Sequence, residues 1–147
     1  MKHLFAVLLL LGTACAQEQV AGATQISPDE LAHLAPLYHA AAVSFVATDF
    51  QTEYSFTEQA DGSFSKISSS NEHWHNRVTL YNNTVAIFHT HPKDCSPRPS
   101  QDDIDVAKKN HVLNYVLSIY ALWVAEPDGT VEKVGNVEIK HGKVVIE

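Results

Sequence analysis

Two periodicities divide the chain. Leu31, Leu34, Tyr38, Ala41 and Phe45 recur at three- and four-residue steps, the spacing of one face of a helix. Ser27, Pro28 and Glu30 precede them as a capping box with proline at the first helical position. Pro36 falls inside the run, which predicts a kink or a break into two pieces, and the helix should end near Thr48-Asp49. Beyond it the pattern shortens to alternation. Glu53 to Thr57 predicts a strand, Asp61-Gly62 a hairpin turn, and Phe64 to Ile67 the returning strand. Residues 68–76 predict a surface loop, Arg77 to Tyr81 a short strand, and Asn82-Asn83 a turn. Thr84 to His89 predicts a buried strand.

Pro92, Pro97 and Pro99 stiffen the following loop, and a helix is expected over 100–110. Val112 to Val124 is apolar and too long for one ordinary strand unless bent or central. Turns at Pro127-Asp128-Gly129 and His141-Gly142 bound strands over Thr130 to Lys140 and Lys143 to Ile146. The order predicts an α+β domain, with helices around a mostly antiparallel or mixed sheet.

The N-terminus follows neither period. A short polar start, the apolar run Leu4 to Leu11 and the small-x-small trio Ala14-Cys15-Ala16 predict a signal peptide over 1–16. A leader over 17–26 and a single domain over 27–147 then follow. Lipoprotein processing at Cys15 is the second reading. Both imply export, to the periplasm or the outside. In a eukaryotic host, Asn82-Asn83-Thr84 would be a glycosylation sequon.

The 147 residues suffice for one hydrophobic core. A net charge of −7 leaves no basic stripe, which argues against a nucleic-acid partner, and no apolar run is long enough for a transmembrane helix. Cys15 and Cys95 are the only cysteines, so disulfides do not build this fold. Loss of Cys15 with the signal peptide would leave Cys95 a partly exposed free thiol.

The candidate chemistry lies in Phe88-His89-Thr90-His91-Pro92, followed after seven residues by Ser100-Gln101-Asp102-Asp103. Side chains two apart on a strand share a face, so His89 and His91 point the same way. Two imidazoles, and a carboxylate returned by the next helix, make a three-ligand set with the fourth position open, as in a catalytic zinc site. Ser100 with Asp103, after Pro99, is also an ordinary helix start, a hydroxyl cap with an acid in the first turn.

The pattern H-x-H-P-x7-S-x-x-D resembles the signature of the JAMM (JAB/MPN) zinc metallopeptidases. The strand at Glu53-Tyr54 leading into an Asp-Gly hairpin is similar to an exported and toxin-associated bacterial branch of that family. The resemblance covers roughly Ser27 to Gly135 and implies a JAMM/MPN-like, cytidine-deaminase-like sheet flanked by helices. It implies zinc bound by His89, His91 and Asp103, Ser100 helping an oxyanion, and an upstream glutamate as general base. Glu53 occupies that glutamate's place, with Glu58 and Glu72 as alternatives. Ser55-Phe56 stand where better-known members carry a glycine soon after the glutamate.

The activity implied is hydrolysis of an amide bond in a peptide or protein substrate. Two rivals stand beside it: a zinc hydrolase acting on a small non-peptide amide, and a non-catalytic JAMM-like binding module. Of the remaining candidates, His73-Trp74-His75 reads as a loop rim. His33 and His39, six apart on a helix, cannot chelate together, and His111 and His141 are isolated.

Overall fold

The computed structural model describes residues 7–11, 28–48, 50–69 and 76–147. In chain order its elements are β1 (Val7–Leu11), α1 (Pro28–Ala47), β2 (Ser55–Gln59), β3 (Asn76–Leu80) and β4 (Thr84–Thr90), then α2 (Gln101–Asn110), β5 (Leu113–Leu117), β6 (Ala121–Ala125), β7 (Val131–Lys140) and β8 (Lys143–Ile146). Six strands form one sheet in the order β2-β4-β5-β6-β7-β8. β4 and β5 run parallel, and every other neighbouring pair is antiparallel. The fold is therefore α+β, a curled mixed sheet flanked by two helices.

Alternation on β4 assigns the helices to opposite faces. Ala86 and Phe88 join Leu34, Tyr38, Ala41 and Ala42 of α1, whereas Ile87 packs with Val106 of α2. Phe88 is stacked between Phe56 and Tyr115, with ring centroids 4.8 Å away on each side, and Tyr38 meets it edge-on. Having opposite parity to Phe88, His89 falls on the α2 face. The parallel pairing of β4 with β5 requires a crossover connection, and α2 supplies it.

Several expectations are corrected. α1 is one helix through Pro36 and not two pieces. Leu34, Tyr38, Ala41 and Phe45 face inward while Ala32 and Pro36 are exposed, so water can serve the carbonyl that the proline leaves unbonded. β2 begins at Ser55, two residues after Glu53. Phe64 to Ile67 is not a regular strand. It touches β2 through isolated bridges at Glu58–Phe64 and Ser55–Ser68, with Ser65 Oγ accepting from the Thr57 N–H between them. The run Val112 to Val124 is two antiparallel strands, turned where the Ser118 hydroxyl accepts from the N–H groups of Tyr120 and Ala121. Cys95 is buried and disulfide-bonded, not a free thiol.

Val7–Leu11, the core of the expected signal peptide, lies antiparallel on β3. The cleavage site, Cys15, the capping residue Ser27, Glu72 and His73-Trp74-His75 fall outside the described residues. Among the described residues no helix is long and apolar enough to cross a membrane.

Candidate metal centre

His89 reaches the site from the end of β4, and His91 follows it in the same orientation. The chain there is fixed from two sides: the His91 N–H donates to the Leu117 carbonyl, and Thr90 pairs with Tyr54. That second link is double, because Thr90 N donates to the Tyr54 carbonyl and Tyr54 N donates to Thr90 Oγ1, each at 2.9 Å. Residues 53–55 are thereby held beside 89–91.

Asp103 comes from the first turn of α2. Ser100 caps that helix with a full capping box: its Oγ accepts from Asp103 N at 3.1 Å, and Asp103 Oδ2 accepts from Ser100 N at 2.6 Å. Asn114 on β5 donates to the Asp103 carbonyl, tying the helix start to the sheet. At the other end His111 closes α2 in the left-handed conformation, its N–H donating to the Ala107 carbonyl. A position that reads as isolated in the sequence is thus a helix terminator.

The three side chains converge. His89 Nε2 lies 3.1 Å from His91 Nε2 and 3.2 Å from Asp103 Oδ1, and His91 Nε2 lies 3.4 Å from Asp103 Oδ2. Donors placed tetrahedrally about 2.0–2.1 Å from one ion are about 3.3–3.4 Å apart, so this buried group can hold a metal ion. His91 Nδ1 donates to the Ser96 carbonyl at 2.8 Å. That bond turns the unprotonated Nε2 of a neutral ring toward the other two ligands. Asp103 Oδ1 is buried and outside the Ser100 hydrogen bonds, facing His89 Nε2, and His89 Nδ1 is buried without a hydrogen-bond partner.

Burial alone would raise the Asp103 carboxyl, but the imidazoles of His89 and His91 more than reverse this and hold it well below the usual carboxylate range. Glu53 is fully buried with both carboxylate oxygens unpartnered. Burial first, and the charge of Asp103 second, push its pKa from its ordinary 4.5 up to about 9. A divalent ion among the ligands would pull it back down.

Glu58 points to the opposite face of β2 and pairs with His33 Nε2 at 3.2 Å, away from the triad. His39 is exposed on α1 and takes no part. The contacts that orient the ligands, Ser96, Thr90 with Tyr54, and Asn114, carry no sequence signal beyond the small hydroxyl residue between the two histidines. A cavity of about 550 Å³ lined by Phe64, Lys66, Arg77 and Tyr81 among others includes none of the triad residues. Comparison with protein-family models, with curated proteins and with solved structures gives no match for this chain.

Proposed function

We propose that the protein is a JAMM-like, zinc-dependent hydrolase of amide bonds in peptide or protein substrates. The observation that carries this reading is the convergence of His89, His91 and Asp103 at tetrahedral spacing, with the unpartnered carboxyl of Glu53 near enough to feel the charge of Asp103. Two neutral imidazoles and one carboxylate are a donor set that suits zinc. When bound, zinc supplies a Lewis acid that brings the pKa of a water toward 7 and polarises a carbonyl.

The chain's own residues do the rest. Glu53 takes a proton from the attacking water and returns it to the departing amine. Its burial keeps bulk water from competing for that proton. Ser100 holds Asp103 through Oδ2 by both its N–H and its hydroxyl. A hydroxyl has one proton to give, so serving the substrate's carbonyl oxygen requires that of Ser100 to turn away from Asp103.

Export belongs to the same proposal, resting on the apolar run Leu4 to Leu11 and on Ala14-Cys15-Ala16.

Metal analysis of the purified protein, together with turnover on a quenched peptide library, tests the reading. About one zinc per chain and turnover that disappears in Glu53→Gln with zinc retained are expected. Absence of metal from the wild type sinks it. Metal without turnover on any peptide leaves the binding module or the small-amide hydrolase.

A further inference from the structure

Beside the metal ligands, on the same sheet face, lies a cluster of cationic and donor groups that the hydrolytic steps do not use. His89, Val116, Trp123 and Lys133 are successive register partners across β4, β5, β6 and β7. Trp123 packs against the cluster of Ile104 and Ala107 of α2 with Ala125 and Val131, and its register with Val116 and His89 puts it on the α2 face of the sheet. Arg98, from the loop between His91 and Ser100, places its guanidinium over the Trp123 ring, 5.0 Å from the centroid.

Three donors there lack acceptors. Arg98 Nε, Arg98 Nη2 and Trp123 Nε1 are buried without a hydrogen-bond partner. Among the described residues no carboxylate pairs with Arg98, although the chain carries a net charge of −7. Both residues are half-buried, so their side chains reach the surface while these three nitrogens lie beneath it, and exposed Lys133 adds a second cation at the edge of the cluster. Cation–π contact holds a guanidinium in place but uses none of its N–H groups. An oriented guanidinium with free N–H groups matches the two oxygens of a carboxylate.

We infer that Arg98, seated on Trp123, binds a carboxylate of the substrate and makes the protein selective for acidic peptides. The inference deepens the hydrolase reading and rests on substrate lying along the sheet face that carries His89, His91 and Asp103. Two strand spacings separate His89 from Trp123, about 10 Å, and an extended peptide advances about 3.3 Å per residue. The carboxylate therefore belongs two to three residues from the bond that is cut. An acidic side chain and a free C-terminus present the same group.

The test is binding, without turnover, to the zinc-loaded full chain. Calorimetry compares acetyl-Ala-Ala-Ala as free acid and as amide, and acetyl-Ala-Ala-Glu-amide with its Gln counterpart. At least one acid should bind about tenfold more tightly than its neutral partner, as a charge-assisted bond requires. Preference in the first pair identifies a C-terminal carboxylate, and in the second an acidic side chain. Arg98→Gln should bring acid and neutral probes within about twofold while zinc content is kept. Arg98→Lys, which keeps the charge without the fork, should retain part of the preference and guards against a folding defect in the first variant. Equal binding of acid and neutral probes by the wild type, or a preference that survives Arg98→Gln, overturns the inference. A preference found in a protein that hydrolyses nothing would fault the hydrolase reading and leave Arg98's role standing. Hydrolysis without preference would do the reverse.

Discussion

Ser100 gives both its backbone N–H and its hydroxyl to one oxygen of Asp103, Oδ2, at 2.6 and 2.8 Å. The other oxygen, Oδ1, is left without a hydrogen bond, 3.2 Å from His89 Nε2. The helix cap and the candidate metal ligand are thus the same carboxylate, with one oxygen in the cap and the other facing the histidines. A capping box ordinarily uses Glu or Gln at the third helical position. The shorter Asp keeps the carboxylate close to the helix start, where the end of β4 can reach it.

This double duty makes Ser100 sensitive to its replacement. Ser100→Ala should cost about 1 kcal/mol of stability through the lost cap. It should also weaken metal binding about 10- to 100-fold, because the ligand loses the groups that orient it. Ser100→Asp is a tolerable cap on general grounds, but here it sets a second carboxylate against Asp103 in a buried site. Its melting temperature without metal should therefore fall below that of Ser100→Ala. A competitive chelator titration and thermal melts of the three proteins check both expectations.

Replacing His89, His91 or Asp103 by Ala should remove the metal. In wild type a chelator should lower the melting temperature, and in the three variants it should leave it nearly unchanged. Elemental analysis with melts in the presence and absence of the chelator decides this.

Glu53 should make the metal-free protein less stable as pH rises. Unfolded, it ionises near 4.5; folded, near 9. Between those values the folded state holds the extra proton, so stability falls with rising pH by up to about 1.4 kcal/mol per unit. Glu53→Gln has no proton to lose. Its advantage in melting temperature over metal-free wild type should grow from pH 5 to pH 8. A constant difference would show that Glu53 keeps an ordinary pKa. Asp103 shifts the other way, and its contribution is lost only on acidification below its ordinary 3.8.

Phe88 lies back to back with His89 and anchors β4 from the α1 side. Phe88→Ala empties the space between Phe56 and Tyr115 and should cost about 3–5 kcal/mol. Denaturant unfolding measures it.

Helices, turns and the His89-His91-Asp103 group were legible in the sequence because each rests on short-range regularities. The three- to four-residue spacing from Leu34 to Phe45 marks α1, Ser100 with Asp103 marks the start of α2, and Gly129 and Gly142 adopt the positive φ that their turns require. His89 and His91 share a face because a strand alternates, and a local rule suffices for that. Long-range pairing is not local. A sequence does not say that Val112 to Val124 folds back on itself at Ser118, because its apolar residues suit one strand or two. Nor does it show that Phe64 to Ile67 lies along β2 without forming a regular strand. Tertiary structure also separated the glutamates: Glu53 and Glu58 are five residues apart, and the register of β2 on β4 turns Glu58 to His33 while the Thr90–Tyr54 link fixes Glu53's backbone beside the histidines. Arg98 and Trp123 are 25 positions apart in the chain. Only the crossover from β4 through α2 to β5, with β6 folded back alongside, puts one over the other, because packing joins residues by face and register and not by distance along the chain.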